Sequence, residues 1–157
     1  IAFLMDCNWR DIKLKIQKPD EDQREIIARG CAAYSKFCGD SRCEAELFPQ
    51  LWLQLDHKHP ERRLLVAKTA AVLALETGPK SHPLLLSICQ QLLEDKNSEV
   101  RRAAADSFAV LLSFSEDADK LSSIQNSCIK IINDDCIPTE TALLVLSAIA
   151  KISFEVR

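Results

Sequence analysis

The chain has 157 residues, 47% of them hydrophobic and 27% charged, with a net charge of −3. This is the composition of a globular chain, long enough for one ordinary domain or for roughly four units of about 38 residues. No run approaches the ~20 apolar residues of a membrane span, and the acidic balance offers no global attraction to nucleic acid or anionic lipid.

Ile1 to Met5 form an apolar run closed by Asp6, too short and without the basic start of a signal peptide. The lack of an initiator Met and the finish at Arg157 suggest a piece of something longer. Ile12, Leu14 and Ile16 alternate with Lys13, Lys15 and Gln17. A lone strand has no partner in a chain otherwise helical, so residues 1–18 are expected to be a helix remnant or an irregular cap. Pro19 and Asp20 then precede Glu21 and Asp22, acids suited to a first helical turn. The spacing predicts a flanking helix over 20–39, running through Ile26, Ile27, Cys31, Tyr34 and Phe37 and stopping at Gly39.

A first helix pair is expected over 43–78. Leu47, Phe48, Leu51, Trp52 and Leu55 recur at three- and four-residue intervals. His57 to Pro60 make the turn, and Leu65, Val66, Ala67, Ala70, Leu73 and Ala74 line the second helix up to Gly78-Pro79. A second pair over 82–115 repeats the plan. Leu84, Leu85, Ile88, Cys89, Leu92 and Leu93 point inward, Glu94 to Ser98 form a polar turn, and Ser98 is the expected N-cap of a helix carrying Val100, Ala104, Phe108, Leu111 and Leu112. A third pair over 120–153 has Leu121, Ile124, Cys128, Ile131 and Ile132, a turn at Asn133 to Cys136, then Ala142, Val145, Leu146, Ile149 and Ile152. Its last helix is nearly apolar from Ala142 to Ala150, where a terminal cap should be polar outside; another unit is therefore expected to follow.

The pairs share a phrase. Glu61 to Leu73 is answered 38 residues later by Glu99 to Leu111, matching best at Arg63/Arg101, Ala67/Ala105, Ala71/Ala109, Val72/Val110 and Leu73/Leu111. Recurrence of a two-helix unit at this period predicts an all-α right-handed superhelix, in which each pair buries its apolar stripe on the next. Small residues at 103, 104, 105 and 109 allow close helix approach.

The seven cysteines form no even framework; Cys31, Cys89 and Cys128 sit at inward positions as small hydrophobes, a usage that favours a reducing, cytoplasmic setting. His57 and His59 flank Lys58, and His82 precedes Pro83, but a zinc site wants four ligands, and the gap between Cys38 and Cys43 is not a usual metal pair. No metal or cofactor is expected. Nor is an enzyme: there is no phosphate-cradling Gly-rich loop, nucleophile elbow or His-Glu-x-x-His helix. The candidate interaction residues are Arg62, Arg63, Arg101 and Arg102 near the starts of second helices, with Trp52. One reading is structural, each guanidinium bonding a turn carboxylate such as Asp56 or Asp95. The other is a surface gripping the acidic side chains of a protein partner. For Trp52 core packing is expected, and partial burial would make it an anchor. Direct nucleic-acid binding is not expected; it would require the arginines to join other basic surfaces.

Asp95, Val100, Arg101 and Ala104 in these relative places resemble HEAT repeats, hence the expected HEAT/armadillo-like α-α solenoid. Glu46 to Trp52, His57 to Ala67 and Leu86 to Lys96 are similar to the HEAT region of the RELCH family, whose members combine a LisH motif, a coiled coil and HEAT repeats; the likeness covers roughly residues 44–120, departing at Leu51 and at Glu76 to Gly78. That resemblance implies a non-enzymatic tether between recycling endosomes and the trans-Golgi network, which binds a small Rab GTPase and supports cholesterol movement to the Golgi. It also implies membrane association only through partners or other regions. The alternative to that leading reading is a regulatory or scaffold subunit of a multiprotein complex, for instance one resembling phosphatase scaffolds.

Overall fold

The computed structural model describes residues 18–114 and 121–155, so the expectation for residues 1–17 lies outside it. Helix α1 (Glu21–Cys38) opens with a reciprocal cap: the Asp20 carboxylate accepts the Gln23 N–H at 2.8 Å, and the Gln23 side chain accepts the Asp20 N–H at 3.1 Å. It ends at Gly39, whose φ of 74° suits a residue without a Cβ. Next come α2 (Asp40–Arg42), a π-helical stretch (Cys43–Leu47) and α3 (Phe48–Trp52). The widened stretch lies just ahead of Pro49, which has no N–H to return to the preceding turn and whose ring crowds the carbonyl four residues back. The remaining helices are α4 (Pro60–Glu76), α5 (His82–Leu92), α6 (Ser98–Ser113), α7 (Leu121–Asn133) and α8 (Thr139–Glu155).

Packing makes this an all-α solenoid. Helix α4 lies between α1 and α6, α6 lies against α8, α5 packs on both α4 and α6, and α7 packs on α8. One continuous core runs from Cys31 to Val145, with Val66, Leu73, Leu85, Ile88, Phe108 and Leu111 fully buried. Apolar side chains are thus shared between successive pairs. The Ser107 hydroxyl adds a buried bond across the stack, donating to the Ala67 carbonyl of α4 at 2.6 Å while it also lies 2.9 Å from the Ala103 carbonyl of its own helix.

Helix α1 is more than a flanking helix. Glu21, Pro60, Ser98 and Thr139, the first residues of α1, α4, α6 and α8, recur every 38 to 41 residues, so α1 occupies the place of a second helix. Its buried side is Ala28, Cys31, Ala32 and Ser35. Ile26 and Phe37, expected inward, are 69% and 68% exposed; small side chains, not bulky ones, suit the close approach to α4. Ile132 and Leu146 are likewise exposed, and Leu84 is at the margin of exposure. Asn97, not Ser98, caps α6, accepting the N–H groups of Glu99 and Val100.

Cys31, Cys89 and Cys128 are buried. Burial pushes the Cys89 thiol up to about 12 and that of Cys128 up to about 11, so both stay protonated.

Candidate protein-binding surface

Two arginines one repeat apart hold equivalent bonds. Near the start of α4, Arg63 grips Asp95 of the following turn through Nε at 2.5 Å and Nη2 at 2.8 Å, and its Nη1 donates to the His57 carbonyl at 2.5 Å. Near the start of α6, Arg101 donates through Nε to Asp134 at 2.6 Å and through Nη1 to the Asp95 carbonyl at 2.9 Å. Each aspartate also accepts a backbone N–H of its own turn, Asn97 for Asp95 and Cys136 for Asp134. Arg63 and Arg101 each therefore tie the turn before their own helix to the turn of the next unit.

The two clasps set the local electrostatics. Burial alone would raise the Asp95 carboxyl, but the Arg63 guanidinium and the Asn97 N–H outweigh it and hold Asp95 below the usual carboxylate range. Arg101, with the Cys136 N–H, lowers Asp134 in the same way. The partner carboxylates raise both arginines in turn.

The five residues singled out from sequence do not form one patch. Arg63 and Arg101 are engaged in the ladder. Arg62 precedes a ladder position and Arg102 follows one, which sets them about 160° apart around their helices at 3.6 residues per turn. Arg62 donates to Gln54 at 3.0 Å. Arg102 is exposed, with no partner among the described residues. Trp52 is 44% exposed, so it is not a core residue. Asp56, named as a possible ladder acid, instead accepts the Gln91 amide at 3.4 Å. His57 accepts the His59 N–H through Nδ1 at 3.1 Å, an internal contact of the turn, and burial lowers its pKa. Among the described residues no group of three or more His, Cys, Asp or Glu side chains could hold a metal.

Sequence reasoning missed the outer face of the stacked second helices, having placed Ile26 and Leu65 on the inward side, where the structure buries Leu64 instead of Leu65. On α4, Leu65, Lys68, Val72 and Leu75 succeed one another at three- and four-residue steps along the least buried arc. Ala103, Asp106, Val110 and Ser113 of α6 stand 38 residues on, and Ile26, Arg29, Ala33 and Lys36 of α1 stand 39 residues back; all are exposed or half-exposed. These rows make a continuous surface, apolar at Ile26/Leu65/Ala103 and Ala33/Val72/Val110 and charged between, with Lys68 salt-bridged to Glu21 at 3.3 Å. Only the 38-residue recurrence of half-polar positions could have signalled it.

A stack of paired helices that share one apolar core and leave a helical face exposed belongs to the class of α-α repeat proteins. Residues 5–155 match the family described as RAB11-binding protein RELCH N-terminal domain. The chain is 43% identical over 109 residues to the RAB11-binding protein RELCH homolog of Xenopus tropicalis, 43% over 107 residues to RAB11-binding protein RELCH of Homo sapiens, and 46% over 110 residues to the homolog of Danio rerio. These alignments cover 67–68% of this chain and 9% of each relative. The chain belongs to the RELCH family. The family match extends well beyond the stretch whose likeness was legible in the sequence, reaching into both ends. No solved structure matches.

Proposed function

We propose that this chain is a protein-binding segment that engages a small Rab GTPase of the RAB11 type and has no catalytic activity of its own. The observation that carries the reading is the family match over residues 5–155, whose relatives are named for binding RAB11. The outer face of α1, α4 and α6 supplies a surface for it. Apolar rows supply contact area, Arg102 supplies a free guanidinium for an acidic side chain, and Leu75, 64% exposed, is a ready anchor. Of the sequence candidates, Arg102 is a contact residue of this face in the proposal and Trp52, on α3, a separate exposed contact beyond it, whereas Arg63 and Arg101 keep the stack in register and Arg62 supports its turn. The family resemblance extends the reading to tethering of recycling endosomes to the trans-Golgi network and to cholesterol movement. The chain would then be peripheral and cytoplasmic, held at membranes through its partner. No described helix is long and apolar enough to cross one.

The test is binding of immobilised RAB11, loaded with GTPγS or GDP, to wild type and to Leu75→Glu, Arg102→Glu and Trp52→Ala. Truncating or reversing an anchor typically costs a factor of about ten or more in affinity. Nucleotide-dependent binding, weakened about tenfold by Leu75→Glu with unchanged melting, supports the proposal. Equal binding of both nucleotide forms, or of all variants, overturns it.

A further inference from the structure

The arginine ladder has a third member that is only half engaged. Arg24 precedes Arg63 by 39 residues, as Arg63 precedes Arg101 by 38. Its Nη1 donates to the Pro19 carbonyl at 2.6 Å. This is the counterpart of Arg63 on His57 and Arg101 on Asp95. In those two rungs Nε holds an aspartate of the next turn. The Nε of Arg24 is buried and has no partner among the described residues. A buried donor left unpaired forfeits its hydration without return, so this atom has a standing preference for an acceptor.

We propose that Arg24 is a carboxylate-binding site, an unfilled rung of the ladder, and that its ligand is the side chain of Asp56. Asp56 lies in the turn between α3 and α4, the one that comes after α1 in the stack, and precedes Asp95 by 39 residues, the interval that separates Asp95 from Asp134. It is exposed, and its bond to Gln91 is long at 3.4 Å, so little holds it away. The limb that delivers this turn is also the one interrupted by the π-helical stretch and ended by the five-residue α3, unlike the uninterrupted α5 that delivers Asp95. Beside the turn is a groove of about 520 Å³ lined by Leu55, Asp56, His57, Lys58, Gln91 and Lys96, among others. Closing the rung takes Asp56 off Gln91 and out of the groove wall, so the seating of α1 and the shape of the groove change together.

The test is proton exchange at the arginine Nε–H groups, read by nitrogen-edited NMR on the 157-residue chain and on Asp56→Asn and Gln91→Ala. Asp56 is exposed, so its isosteric amide leaves the core untouched. If the rung closes, Asp56→Asn speeds exchange at Arg24 by about tenfold and leaves Arg63 and Arg101 unchanged, whereas Gln91→Ala, by releasing Asp56, slows it. Exchange at Arg24 that is indifferent to Asp56→Asn, or that changes only in step with Arg63 and Arg101, overturns the assignment.

Discussion

Replacing Arg63 with alanine removes three donor bonds and leaves Asp95, whose side chain is 6% exposed, with the Asn97 N–H as its remaining hydrogen bond among the described residues. Breaking a buried ion pair by deleting one partner costs about 3–5 kcal/mol. The guanidinium here is 15% exposed, so the low end applies, about 3 kcal/mol. In a chain of this size each kcal/mol lowers Tm by about 2–4 °C, which makes the expected drop about 6–12 °C. Arg63→Lys keeps the charge but loses the forked geometry and should fall between. Asp95→Asn retains an oxygen for the Asn97 N–H, and combined with Arg63→Ala it should recover about 1–2 kcal/mol of the loss, since no charge is then stranded. Urea unfolding tracked by far-ultraviolet circular dichroism measures all four, with Arg102→Ala as the exposed control, expected within about 0.5 kcal/mol of wild type. An Arg63→Ala loss no larger than the control's, or strictly additive single and double variants, would refute the idea that the ladder holds the units together.

Asn97→Ala should destabilise by about 1 kcal/mol in the same assay while Ser98→Ala is near neutral, because the Asn97 side chain makes the cap of α6. Ser107→Ala should cost about 1 kcal/mol through loss of the bond to Ala67, whereas Phe108→Ala one residue on should cost about 3–5 kcal/mol. For pH, Asp95 and Asp134 have native values below their unfolded ones. Their contribution is complete above the ordinary aspartate value of about 4 and is lost as pH falls through the lower native values. Acid unfolding curves should therefore steepen below about pH 4 in wild type and flatten in Arg63→Ala; parallel curves would count against the assignment.

The second helices were legible because their signal is redundant. The phrase around Arg63 and Arg101 carries charge, small residues and apolar spacing at once, and the structure gives those two arginines equivalent tasks. Helix α1 has the same role, but only Arg24, Ala28 and Ala32 match Arg63, Ala67 and Ala71 in register, and the more conspicuous Ile26 and Phe37 drew the apolar stripe to the wrong side. In a stacked helix the buried arc is wide and filled by small residues, so a single stripe of large ones is a poor guide to it. The π-helical stretch was hidden because Cys43 to Leu47 read as ordinary helix, the irregularity being visible only through Pro49. Of the candidate site, residue types were visible but direction was not: one step along a helix turns a side chain by about 100°, enough to separate Arg62 and Arg102 from the ladder and from each other.

The widened turn between Cys43 and Leu47 closes with the Phe48 N–H on the Cys43 carbonyl, five residues back. Such a turn stores one surplus residue without disturbing the helix beyond it, so Phe48 and Leu51 still reach the core. Length changes in this architecture thus have a natural place in the first helix of a pair, where a residue can be taken up as a local swelling. Helices α4 and α6 have no such slack, since slipping either by one residue would uncouple the arginine–aspartate clasp that spaces one unit from the next.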